Sequence, residues 1–303
     1  APRTRFAILD CEDADKWDGH AIAISRLFSR AGERWRVLPA SSPRVLRFDS
    51  ASFASVRPSP RNLTPTSTPP SPSVSPLVVV RRPSSFDQGH FRCFSGELPE
   101  LASLSSYAGL VVTGSHHGVN DGRGWIDALR SFLAEACDPS RGVRVLGVCF
   151  GCQILAQALG GAAGKNPRGD GGFTLKRERV TCHRAMLERD DYQSAAASFP
   201  SSSADSDSVI MTVFESHGDA VTSLPPSATT LATSATAPHE IWSRGDNVLA
   251  WQGHPELSAD AIVAKIVPHV SSLSDDSETQ ARPLLHTGSR TTAFVRAVDV
   301  VSY

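Results

Sequence analysis

The chain has 303 residues, a formal net charge of −1 and 40% hydrophobic residues. That length allows one large or two ordinary domains, and the near-neutral charge removes any electrostatic reason to expect a nucleic-acid or membrane partner. No run of about 18 apolar residues occurs, so no transmembrane helix is expected. The opening APRTRFAIL runs straight into a strand and lacks a signal-peptide core. Cysteines at 11, 93, 137, 149, 152 and 182 show no disulfide framework for a chain of this size. A reducing, cytoplasmic setting is expected.

Arg5–Leu9 reads as a first strand, ending in the acidic DCEDAD. Ala21–Phe28 has helical spacing, and Trp35–Leu38 begins a second strand. From Ser41 to Ser85 the texture changes to Ser and Pro, with nine prolines and six arginines against one aspartate. Prolines remove backbone donors and break helix and sheet, so 41–85 reads as a largely disordered insertion. Its PxxP-like pieces admit an SH3-type ligand, against the plainer reading of a solvated loop. Order resumes at Phe91, and Tyr107–Thr113 is a buried strand ending in the polar loop Gly114-Ser115-His116-His117-Gly118. Trp125–Cys137 is an amphipathic helix. Beyond residue 161 the expected strands are Phe173–Thr181, Val209–Phe214, Thr229–Ala235, Glu240–Arg244 and Asn247–Gln252. Gln193–Ser208 is a loop, Ala259–Val267 a last helix, and 271–303 a tail. Alternating strands and helices predict a doubly wound α/β domain over 1–270 with a mainly parallel sheet.

The chemistry centres on RGVRVLGVCFGCQILAQALGG, residues 141–161. An apolar β-branched strand passes through Gly147-Val148-Cys149-Phe150-Gly151 into a helix. Glycines two positions either side of Cys149 match a nucleophile elbow, where strand and helix pass too close for a Cβ. The helix start favours an anion, and the N–H of Phe150 is placed to form half of an oxyanion hole. Two other readings compete: a buried Cys acting as a small hydrophobe, and a Cys149–Cys152 redox pair. A nucleophilic Cys needs a base, and the base an orienting acceptor. His254 and Glu256, in Gly253-His254-Pro255-Glu256 after a strand, supply that pair.

GVCFGCQ with GHPE resembles the paired signatures of the class I glutamine amidotransferases. The texture LDCED, SGELPE, VVTGSHH and SHGD is closer to a stand-alone branch similar to plant γ-glutamyl peptidases. The resemblance implies a flavodoxin-like fold and a Cys149–His254–Glu256 triad that opens a γ-glutamyl amide through a thioester. It further implies a second oxyanion donor at the Ser115 N–H, and substrate contacts from Gln153, Ser216, His217 and Asp219. No metal or organic cofactor is expected. The substrate is a small γ-glutamyl compound such as glutamine, glutathione or a glutathione conjugate. Two alternatives stay open: a glutaminase subunit feeding ammonia to a separate synthetase, such as a GMP synthase-type partner, and an inactive binding protein of the same fold. Cys152 stands where relatives often carry another polar residue, which leaves room for a redox off-switch.

Overall fold

The structure, a computed structural model, describes residues 5–14, 45–47, 87–167, 172–190, 192–193, 209–257 and 259–270. The expected helix at Ala21–Phe28, the strand at Trp35–Leu38, most of the Ser/Pro segment, nearly all of the loop from Gln193 to Ser208 and the tail past 270 lie outside these residues.

Among the described residues the strands are β1 (Arg5–Asp10), β2 (Val45–Arg47), β3 (Asp87–Arg92), β4 (Gly109–Val112), β5 (Arg144–Val148), β6 (Ala162–Lys165) and β7 (Thr174–Cys182), followed by β8 (Val209–His217), β9 (Asp219–Ser223), β10 (Ala228–Thr233), β11 (Ile241–Arg244) and β12 (Val248–Trp251). The helices are α1 (Gly124–Ala136), α2 (Phe150–Ala158), α3 (Arg184–Leu187), α4 (Ala259–Lys265) and α5 (Val267–Val270). A ten-stranded sheet runs β2-β3-β1-β4-β5-β12-β11-β10-β7-β8. Its central run, β3-β1-β4-β5-β12, is parallel, and the strands from β12 out to β8 pair antiparallel. The doubly wound α/β class expected from the alternating pattern is the class that forms.

Successive residues of the central strands point to opposite faces, which divides the core in two. Ala7, Leu9, Leu110, Val112, Val145 and Ala250 pack on one face with α1 and α2, while Phe6, Ile8, Val111, Leu146, Val148 and Trp251 fill the other. Helix α1 buries Ile126, Leu129, Leu133 and Ala136 as one stripe, each large aliphatic side chain contributing about 1.5–3 kcal/mol of burial. Among the described residues, no helix is long and apolar enough to cross a membrane.

Three strands beyond the expected ones appear, β2, β6 and β9, and one expectation is corrected. Residues 45–47 inside the Ser/Pro segment form a short strand, antiparallel to β3. The short pair β6–β9 has too little apolar pattern to read in advance. Strand β8 runs on through Glu215, Ser216 and His217 instead of stopping at Phe214, because the ladder with β7 continues to Ser216↔Leu175 and His217↔Thr174. Ladder bonds override the loop-like composition there.

Candidate active site

Cys149 joins β5 to α2 with φ 52° and ψ −107°, a conformation that costs a non-glycine residue on the order of 1–3 kcal/mol. The surroundings impose it. A Cβ on Gly147 would lie 2.5 Å from the Gly151 carbonyl oxygen, and one on Gly151 would collide with the Val112 carbonyl of β4. Strand, turn and helix therefore close as tightly as the glycine spacing predicts, and the Cys149 side chain is held at the strand's end, 6% exposed. Its sulfur lies 3.8 Å from the Ser216 carbonyl oxygen.

β12 lies beside β5 in parallel register, Trp251 opposite Val148, and the Cys149 N–H donates to the Trp251 carbonyl at 2.8 Å. The segment leaving β12 is thereby delivered to the rim where Cys149 stands. The His254 N–H donates to the Phe214 carbonyl at 2.8 Å, and Nδ1 of His254 lies 2.7 Å from Glu256 Oε1. A carboxylate accepts, so Nδ1 carries the proton and Nε2 is left for the sulfur. Burial works to lower the His254 pKa, but the charge of Glu256, then the charge and hydrogen bond of Cys149, outweigh it and hold the ring well above the ordinary imidazole range. That balance favours the imidazolium form of His254.

The other predicted residues converge on the same rim. Phe150 opens α2, so its N–H has no acceptor within the helix. The Thr113 carbonyl accepts the Gly151 N–H at 3.1 Å, tying the Ser115 loop to the helix start. Gln153 is 4% exposed, and its Nε2 donates to the Asp219 carbonyl at 2.8 Å and to Gln252 Oε1 at 3.2 Å. Its amide nitrogen is thus committed to bracing the site. His217 is buried, its Nδ1 donating to the Asp219 carbonyl at 2.9 Å, which makes it a framework group. Ser216 is half-buried and presents its carbonyl to Cys149. Cys152, three residues on, belongs to the opposite core face: it is fully buried, and the Trp242 indole N–H donates to its sulfur at 3.1 Å. Burial drives its pKa far up. A thiol locked in its neutral form makes a poor resolving partner, so this packing favours a core role over a redox one.

Two acids under the site were missed from sequence. Glu215 and Glu240 are both fully buried, and an oxygen of each lies 2.9 Å from where a Cβ on Gly253 would sit. Glu240 Oε1 accepts the Gly253 N–H at 2.8 Å and Oε2 the Ser234 hydroxyl at 3.0 Å. Glu215 Oε2 faces the lone pair of His217 Nε2 at 3.3 Å, and two acceptors in contact need a proton between them. Burial, then the charge of Glu178, push Glu215 up to about 8. The available signal was period two: Glu215 follows Val213 on the same strand face, and Val213 is core. Between pH 4.5 and about 8 the folded state binds this proton and the unfolded state does not, so stability falls as pH rises through that window. Urea unfolding at several pH values should show Glu215→Gln removing a loss on the order of a few kcal/mol.

Residues 93–267 match the family model for glutamine amidotransferase class-I. The chain is 32% identical over 176 residues to gamma-glutamyl peptidase 4 of Arabidopsis thaliana, covering 57% of this chain and 62% of that one. It is 29% identical over 204 residues to a glutamine-hydrolyzing GMP synthase of Thermomicrobium roseum, covering 63% of this chain and 33% of the synthase. A crystal structure of a glutamine amidotransferase from Thermotoga maritima superposes with a TM-score of 0.53 at 19% identity, over 71% of this chain and 85% of that one, which shows the shared fold. The chain spans less than two thirds of the length of the peptidase it matches. With more than half of its residues inside the family model, and with an elbow cysteine and a strand-end histidine on one sheet rim, the chain belongs to the class I glutamine amidotransferase family.

Proposed function

We propose that the chain is a cysteine hydrolase of γ-glutamyl amide or peptide bonds, as its likeness to a γ-glutamyl peptidase suggests. The observation that carries this reading is the strained Cys149 beside a His254 whose other nitrogen is held by Glu256. In the proposed cycle the Cys149 thiolate attacks the γ-carbonyl carbon. The N–H groups of Phe150 and Ser115 stabilise the oxyanion, an interaction worth about 3 kcal/mol per donor in comparable sites. His254 passes its proton to the departing amine as the C–N bond breaks, leaving a thioester. A water then gives a proton to His254 as its oxygen bonds the thioester carbon, and collapse releases glutamate and the thiolate. The reaction consumes one water and needs no further reactant.

Likeness to the GMP synthase favours a second reading, a glutaminase that passes ammonia to a separate synthetase. Turnover of a panel of γ-glutamyl compounds by the purified chain separates the two. Steady release of glutamate from γ-glutamyl peptides or glutathione by the chain alone is the expected result. Hydrolysis of glutamine only, and only in the presence of a synthetase, would replace the first reading by the second.

A further inference from the structure

Beside the Ser115 loop, two adjacent imidazoles and the carboxylate of Asp13, in the segment that follows β1, meet at one point. Asp13 Oδ1 lies 3.2 Å from His117 Nε2 and 3.6 Å from His116 Nε2. All three candidate ligand atoms fall within 4.8 Å of one another. Ligands at zinc's bond length of about 2.0–2.1 Å sit roughly 3.3 Å apart when arranged tetrahedrally, so both measured edges need only tenths of an ångström of adjustment. The two rings are 3.9 Å apart, tilted by 44°, which lets both present a nitrogen to the same side.

A second feature separates this group from a chance surface cluster. The buried carboxylate of Glu12 takes the His116 Nδ1–H at 2.6 Å through Oε1 and the His116 backbone N–H at 3.0 Å through Oε2. With the proton fixed on Nδ1, the His116 Nε2 lone pair is directed outward beside Asp13. A carboxylate that holds the far nitrogen of a histidine is the recurrent support behind zinc-bound imidazoles. His117 is positioned by packing instead: its buried ring lies on Trp125, centroids 5.7 Å apart, while Asp121 Oδ2, at 3.9 Å from Nδ1, is beyond hydrogen-bond length. Asp13 and His116 keep solvent-exposed side chains, which leaves an entry path and a fourth coordination position for water.

We propose that Asp13, His116 and His117 form a binding site for a divalent cation of the zinc class, with Glu12 as the positioning residue behind His116. This departs from the expectation of a metal-free chain, and it does not depend on the reaction proposed above. Imidazole nitrogens with one carboxylate select zinc over magnesium or calcium, which prefer all-oxygen sets. Because Ser115 directly precedes the two histidines, an ion there would fasten the end of β1 to the loop carrying the second oxyanion donor.

The test uses the full chain carrying Cys149→Ala, which removes the reactive thiol as a competing ligand, after treatment with a chelator. Zinc ions alone are titrated in by calorimetry and by competition with a chromogenic chelator. One tightly bound zinc per chain is expected. Asp13→Asn or His116→Gln, both at exposed side chains, should weaken binding by about a hundredfold, and Glu12→Gln by roughly tenfold. Zinc should also raise the thermal midpoint of the parent and not of the ligand variants. An isotherm unchanged by Asp13→Asn and His116→Gln, or no zinc uptake by the Cys149→Ala chain, overturns the proposal. Near-ultraviolet circular dichroism of each variant shows that its fold is retained.

Discussion

Cys149→Ala is expected to lower kcat/KM for a γ-glutamyl amide by about 10⁴-fold or more, since removing one member of a nucleophile–base unit disables the whole. His254→Ala should fall in the same range, and the double variant should lose little beyond either single one. A rate in Cys149→Ala close to that of the parent would make the chain a binding protein of this fold. The turn adds a discriminating control. Cys149 holds φ 52°, which glycine adopts freely and alanine does not. Cys149→Gly should therefore be more stable than Cys149→Ala by about 1 kcal/mol, the reverse of the usual order in a helix start. Finding inactivity with this inverted stability would tie the strain to the position of the thiol, because a merely packed cysteine has no reason to occupy such a backbone.

Gly151→Ala is the second large effect, and it acts on the framework. The added methyl meets the Val112 carbonyl oxygen and lies 2.9 Å from the Val112 carbonyl carbon. Both belong to a central strand paired on either side, so neither can retreat without breaking ladder bonds. A loss of about 3 kcal/mol or more in urea unfolding is expected, at the upper end of overpacking effects. Activity should fall as well, since displacing Val112 moves Thr113, whose carbonyl holds the Gly151 N–H, and with it the Ser115 loop. Gly124→Ala, at the open start of α1 where a Cβ meets nothing within 4 Å, serves as the control and should stay within about 0.5 kcal/mol of the parent. Equal effects at both positions would remove the steric account of the elbow.

The legible parts of the molecule were those where one residue type is demanded by geometry. Glycines at 147 and 151 announced the turn because nothing larger fits, and the apolar runs before Cys149 and His254 announced parallel strands because both faces are covered. Glu215, Ser216 and His217 misled because polar residues suggest a loop, while here they sit in a strand facing a polar interior. The Asp13–His116–His117 group gave no warning, since Asp13 lies over a hundred positions from the two histidines and the spacing of two neighbouring histidines carries no signal alone. Glu240 was likewise hidden: an acid opening the expected strand Glu240–Arg244 carries no sign of burial, and only the neighbouring Gly253 N–H and Ser234 hydroxyl show why it is inside.

The pairing of β5 with β12 works as a ruler. Four matched pairs, from Val248↔Val145 to Trp251↔Val148, set how far the imidazole of 254 stands from the sulfur of 149. Deleting one residue within 248–251 would draw the histidine back by about 3.3 Å and turn it toward the opposite face. Connections between the antiparallel strands, by contrast, can change in length without altering that span, as long as β8 keeps its place, since its Phe214 carbonyl accepts the His254 N–H.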